Sequence, residues 1–145
     1  MVSHPSASNE QQEAGVVLVS ALADHLRIAL DSKVLKFSDG CAVQIDGYSD
    51  DPPVLCEAWA HIGKPKGSQP DKVMSDLVKL LFCEERLGKK FRKILLFSDE
   101  VVSQHFSGNS WQAMCLRDHG IELMALPLPV DLLNKVSKAQ ERQHR

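Results

Sequence analysis

The sequence predicts a mixed α/β fold, in which one sheet with both antiparallel and parallel strands is covered by helices. The first observation is an Asp-Gly pair at 39–40 between two short apolar runs, which is typical of a β-hairpin. The second is that strand and helix patterns alternate in the later half of the chain, which requires parallel strands joined by crossovers. The predicted element order is helix, strand, strand, strand, helix, strand, helix, strand, helix.

Size and composition are those of one globular domain. The chain has 145 residues, of which 43% are hydrophobic and 25% charged, so a fibrous or largely disordered protein is excluded. We expect a loose polar tail over residues 1–9 and a single domain over residues 10–145. The chain has no apolar run of the roughly 18 residues that span a bilayer and no basic leader before its first apolar run. We therefore expect a cytoplasmic protein that does not insert in a membrane.

The first half of the chain is predicted as one helix and three strands. Ser8 with Gln11 has the spacing of a capping box, and apolar residues at helical spacing follow, which indicates a helix from near Ser8 or Asn9 to about Leu30. Strands follow at 33–38, 41–46 and 54–60, with a turn-rich loop at 47–53. Strict alternation places Ile45 and Asp46 on opposite faces of the second strand. In the third strand, Glu57 shares a face with Trp59.

The second half is predicted as helices alternating with two further strands. A flexible stretch at 63–70 leads into a long helix over 69–87, which Gly88 ends. The continuously apolar run at 92–98 is typical of a central strand covered on both faces. One helix or two helical pieces occupy 99–119, Gly120 closes them, and a strand at 121–126 and a helix at 131–143 complete the chain.

Two carboxylates suggest where the chemistry lies. Asp46 ends the second predicted strand, and Glu57 lies within an apolar third strand, where a carboxylate needs a partner. If these strands are neighbours, the two side chains converge, and their oxygens suit Mg²⁺. The alternative for Asp46 is that it only begins the turn at Gly47.

The order of elements over residues 10–98, with Asp46 ending one strand and Glu57 in the next, resembles the PD-(D/E)XK nuclease superfamily. The resemblance implies a restriction-endonuclease-like fold, in which Asp46 and Glu57 hold a divalent metal and a lysine two positions after the Glu places the attacking water. Residues 57–80 are also similar to small bacterial proteins without a characterised activity, which implies none here.

The chain departs from this pattern at Trp59, which stands where the superfamily has its lysine. An indole offers one N–H donor and no charge. The superfamily allows the lysine to lie on the following helix, where Lys72 is the first candidate and Lys79 the second. Gln69 and these two lysines share one helical face, and Gln69 is a possible accessory residue. The alternative is that this face is only the solvated edge of an amphipathic helix.

Further candidates concern accessory and nucleic-acid-binding roles. His61 follows Trp59 on the same predicted face and could assist the metal or act as a base, although a structural role is the more common one for such a histidine. The net charge is −2, but residues 1–60 carry net −6 and residues 61–145 net +4. Basic residues that could contact phosphates are Lys64, Lys66, Lys89, Lys90, Lys135 and Lys138. The alternative is that they serve solubility and helix C-termini.

Two functions follow from these residues. The first is a Mg²⁺-dependent nuclease that hydrolyses nucleic-acid phosphodiesters through Asp46, Glu57 and Lys72. The second is a catalytically inactive binding or scaffolding module with the same fold and with a protein partner or a second copy of the chain, which the missing lysine at Trp59 favours. A fold resemblance alone does not decide between them.

Overall fold

A computed structural model describes residues 9–143 and shows five strands and five helices among them. The predicted tail lies outside the described residues, apart from Asn9, at which the first helix begins. In chain order the elements are α1 Asn9–Leu26, β1 Asp31–Lys36, β2 Ala42–Ser49, β3 Val54–Trp59, α2 Gln69–Leu87, β4 Arg92–Phe97, α3 Glu100–His105, α4 Trp111–Asp118, β5 Glu122–Ala125 and α5 Val130–Gln143.

The strands form one open mixed sheet in the order β1-β2-β3-β4-β5. The first three strands are antiparallel neighbours, and β3, β4 and β5 run parallel. The predicted hairpin is present: the Phe37 amide donates to the Cys41 carbonyl at 2.9 Å, and Gly40 takes φ 89° at the turn. The predicted mixed α/β class is therefore confirmed.

Helices cover both faces of the sheet, and each face has its own apolar core. On the face that we call the α2 side, α2, α3 and α4 pack against residues that include Leu55 and Leu95. On the face that we call the α1 side, α1 and α5 pack against residues that include Cys56 and Leu96. Adjacent residues of β3 and β4 thus serve opposite cores, which explains why these strands are apolar along their whole length.

The first helix is shorter than the sequence predicts. It ends at Leu26 because Arg27 takes φ 57°, in the left-handed region, where an α-helix cannot continue. Leu30, the predicted end of the helix, lies just before β1 and is buried in the α1-side core. Its apolar character reflects tertiary packing rather than helical periodicity.

Two strands also differ from the prediction in their bounds. Strand β1 spans Asp31–Lys36 rather than 33–38. Strand β2 continues through Gly47 to Ser49, so the predicted loop at 47–53 is wrong in its first part.

Of the two alternatives predicted for the segment 99–119, the structure has two helices, each with its own cap. Asp99 accepts a hydrogen bond from the Val101 amide at the start of α3, and Ser110 accepts one from the Ala113 amide at the start of α4.

Across residues 9–143, every helix is too short or too polar to cross a membrane.

Candidate active site

Strands β2 and β3 separate part of the way along their length, which creates a fork in the sheet. Their pairing covers only residues 47–49 of β2 and 54–56 of β3. Beside the fork, β2 carries a β-bulge, because the single residue Ser32 of β1 lies opposite both Asp46 and Gly47. Ile45 and Tyr48 flank the bulge and still pack on the same core. A bulge re-aims a side chain that strict alternation would send to the other face, and here that side chain is Asp46.

At the fork, each candidate carboxylate accepts a hydrogen bond from a backbone amide of the strand that carries the other. The Asp46 amide donates to Glu57 Oε2 at 2.9 Å, and the Ala58 amide donates to Asp46 Oδ2 at 2.9 Å. These side-chain hydrogen bonds replace backbone pairing beyond the last ladder partners. Each carboxylate is therefore anchored by the backbone of the opposite strand, and the predicted convergence of Asp46 and Glu57 is what the structure shows.

Glu57 is a buried carboxyl group with a lysine partner. Its residue surface is only 2% exposed, and the ammonium of Lys79 from α2 contacts Oε1. Burial, followed by the nearby charge of Asp46, raises the pKa of Glu57 to about 8, although Lys79 opposes this rise. Burial alone would lower the pKa of Lys79, but the charges of Glu57, Asp46 and Asp76 outweigh it and raise that pKa.

A second lysine–carboxylate pair lies on the same face of α2. Lys72 Nζ contacts Asp76 Oδ2 at 2.7 Å, one helical turn away. Asp76 is 7% exposed, and burial raises its pKa despite the two neighbouring lysines. Of the two lysines that the sequence nominates, Lys79 therefore reaches Glu57, while Lys72 is paired with Asp76.

Trp59 lies on the same side of β3 as Glu57, where it packs against the α2-side core. Its ring stacks on the imidazole of His61, with ring centroids 4.5 Å apart and planes inclined by 16°. His61 is buried, and its backbone carbonyl accepts a hydrogen bond from the Ser98 hydroxyl. These contacts give both rings a packing role beside the candidate site.

The segment after β3 is fixed by side chains from three other elements. Gln140 of α5 both accepts from the Ile62 amide, at 2.7 Å, and donates to the Ile62 carbonyl, at 2.9 Å. Asp99 accepts from the Gly63 amide at 2.7 Å. Gln69, the predicted accessory residue, accepts from the Lys66 amide at 2.8 Å and so shapes the loop that leads into α2. Lys64 and Lys66 are exposed on this loop.

The remaining basic candidates lie on other parts of the molecule. Lys89 follows the C-terminal end of α2 and is paired with Asp50 at 2.7 Å, whereas the loop after β3 leads into the N-terminal end of that helix. Lys90 borders an open cavity of about 500 Å³ near the start of β4. Lys135 and Lys138 are exposed on α5, which covers the α1 side. The six lysines therefore fall on three separate regions, and of these only the region with Lys64 and Lys66 belongs to the segment that follows the Glu57 strand.

The donor atoms at the fork suit a hard cation. Within the described part of the chain, no set of three or more His, Cys, Asp and Glu side chains is arranged around one metal position. Mg²⁺, however, is commonly held by one or two carboxylates together with water and substrate phosphate. Asp46 and Glu57 offer two such carboxylates, so the donor atoms are of the kind that Mg²⁺ prefers, although the ammonium of Lys79 contacts one of these oxygens in this structure.

The bulge and the contact of Lys79 with Glu57 were missed from the sequence. A glycine inside a strand is a known indicator of a bulge, and Gly47 directly follows Asp46. The helical spacing indicated the correct face of α2 but not which of its lysines meets Glu57.

Comparison with known proteins adds no further constraint: no protein-family model, no curated protein and no solved structure matches this chain.

Proposed function

We propose that the protein is a metal-dependent phosphodiesterase that acts on nucleic acid and belongs to the PD-(D/E)XK type. The observation that carries the proposal is the group formed by Asp46, Glu57 and Lys79 at the fork between β2 and β3. The order of elements around it, with three strands between α1 and α2, agrees with the proposal.

The residues have distinct roles in this proposal. Asp46 and Glu57 would hold Mg²⁺, which when bound would polarise the phosphate and lower the pKa of a bound water. Lys79 donates hydrogen bonds to the attacking water or to the phosphate oxygen on which negative charge develops. In this chain Trp59 stands at the position of the superfamily's lysine, and we assign the role of that lysine to Lys79 rather than to Lys72. Lys72 neutralises Asp76 instead.

Nucleic acid is proposed as the substrate because the exposed Lys64 and Lys66 follow directly after the strand that carries Glu57. In this proposal, cations on the loop that follows β3 contact phosphates of the bound nucleic acid, and such binding weakens steeply with salt. Replacing both lysines with alanine should weaken nucleic-acid binding at low salt. Replacing Lys89, which is neutralised by Asp50, should have less effect.

A cleavage assay tests the catalytic proposal. Labelled single-stranded DNA, duplex DNA and RNA are incubated with the protein and Mg²⁺ or Mn²⁺, with EDTA as the control for metal dependence. Lys79→Ala and Glu57→Ala should each reduce cleavage by on the order of a hundredfold or more. Lys72→Ala is the matched control from the same helix face and should reduce cleavage far less.

Two results would contradict the proposal. If Lys72→Ala abolishes cleavage while Lys79→Ala leaves it intact, the assignment of the lysine is wrong. If the wild-type protein cleaves none of the substrates with either metal, and Trp59→Lys does not restore cleavage, catalysis is excluded. The second candidate function, an inactive binding module, is favoured by Trp59 and would then apply; its remaining signature is salt-dependent binding without cleavage.

A further inference from the structure

The group at the fork is close to charge balance before any metal binds. Three buried or half-buried carboxylates, Asp46, Glu57 and Asp76, face two ammonium groups on α2. Lys72 neutralises Asp76, and Lys79 neutralises Glu57. A divalent cation that joins Asp46 and Glu57 would therefore meet an ammonium already in place, and like charges at contact distance repel strongly where water is scarce.

The hydrogen bonds also show which partner has to move. Both oxygens of Glu57 are engaged, Oε2 with the Asp46 amide and Oε1 with Lys79. The first of these partners is a backbone group and is fixed, whereas Lys79 has a long side chain that remains 32% exposed. Only the lysine can withdraw without disturbing the sheet.

A second carboxylate lies close to Lys79 and can receive its ammonium. Asp76 precedes Lys79 by three residues on the same helical face, and its charge contributes to raising the pKa of Lys79. A short swing of the side chain would therefore move the ammonium from one carboxylate to another, so that displacement does not leave a buried charge without a partner.

We propose that Lys79 is a tethered cation that occupies Glu57 in the metal-free protein and that a divalent metal must displace before it binds. This inference rests on the proposed metal site. It gives Lys79 a different partner in each of two states: in the metal-free state its ammonium closes the site at Glu57, and in the metal-bound state it would pair with Asp76. Metal binding and the release of Lys79 are then one event.

Calorimetric titration with MnCl₂ at pH 8, where a substantial fraction of Glu57 is ionised, tests this competition. Removing the ammonium should tighten Mn²⁺ binding, so we expect Lys79→Met and Lys79→Gln to bind at least about tenfold more tightly than the wild type. Lys72→Met removes the same charge from the neighbouring ion pair and should change the affinity less than about threefold. The glutamine variant keeps a hydrogen-bond donor toward Glu57 and carries the comparison if the methionine variant does not fold.

Thermal unfolding gives a second readout that does not depend on activity. Without metal, the Lys79 variants should melt below the wild type, because Glu57 has lost its partner. With Mn²⁺ they should gain more in melting temperature than the wild type does, as expected for tighter binding to the folded state.

The outcomes separate this inference from the proposed function. Equal or weaker Mn²⁺ binding by both Lys79 variants overturns the competition, even if the wild type cleaves nucleic acid. Tighter binding by these variants supports the competition, even if no cleavage is found and the proposed function fails. Absence of Mn²⁺ binding in the wild type and in every variant overturns both.

Discussion

Glu57→Gln should change how the stability of the protein depends on pH. Glu57 has a raised pKa in the folded protein, so it is protonated there at pH values at which it is ionised in the unfolded chain. Its contribution to stability is therefore fully present below its ordinary pKa of 4.5 and is lost as the pH rises toward about 8. Glutamine keeps the shape of the side chain but cannot ionise, so the stability of the variant should not fall in this way as the pH rises.

The size of the effect follows from that interval. The interval from 4.5 to about 8 spans ~3.5 pH units, and each corresponds to about 1.4 kcal/mol, or about 5 kcal/mol in full. Because both titrations are gradual, on the order of 3 to 4 kcal/mol of this falls between pH 5 and pH 8. Urea unfolding at several pH values, monitored by tryptophan fluorescence, measures this change in the free energy of unfolding. The free energy of unfolding of the wild type should fall with pH relative to that of Glu57→Gln. Glu85→Gln, at an exposed position of α2, should follow the wild type. Parallel curves for the wild type and Glu57→Gln would refute the reasoning.

Two further predictions concern packing and ion pairs. A Cβ on Gly47 would lie 3.1 to 3.2 Å from atoms of α1, β3 and the segment before β1, so Gly47→Ala should lower the free energy of unfolding by about 1 to 2 kcal/mol. Gly15→Ala, with open space around its Cβ inside α1, should instead stabilise by about 0.5 to 1 kcal/mol, and equal effects in chemical denaturation would contradict this account. Glu84→Ala should cost about 3 kcal/mol, because it leaves the largely buried ammonium of Lys93 without its carboxylate. Arg92→Ala, from an exposed pair, should cost under about 1 kcal/mol, and the reverse order in the same measurement would refute this comparison.

Local patterns were sufficient to predict most of the fold. The Asp-Gly turn and the apolar run of β4 are signals carried by neighbouring residues, and the structure has the corresponding elements. The bulge at Asp46 was not predicted, because strict alternation assumes that each residue of a strand lies opposite a single residue of the neighbouring strand. The close contacts around Gly47 show that the bulge is tied to how α1 packs on the sheet, which is a tertiary property.

The candidate site could be predicted only in part for a similar reason. Helical spacing places Lys72 and Lys79 on one face, but they are seven residues, or about 10 Å, apart along the axis. Which of them meets Glu57 depends on how far α2 is displaced along β3. That displacement is set by the loop before α2 and by core packing rather than by the residues near either lysine. Likewise, the basic run around Lys89 gave no sign of its neutralisation by Asp50, which is 39 residues away.

The hydrogen bonds between Gln140 and Ile62 have a consequence for the order in which the molecule is completed during synthesis. They join positions 78 residues apart, so the amide and carbonyl of Ile62 gain these partners only after the last helix has been made and has docked. A nascent chain that ends before Gln140 already contains all five strands and every residue of the fork. The segment after β3 would nevertheless still lack its contact with Gln140, although Asp99 and Gln69, which also bind it, are already present. During synthesis the strands of the sheet are therefore made first, and Gln140, which restrains the segment after the Glu57 strand, is made later.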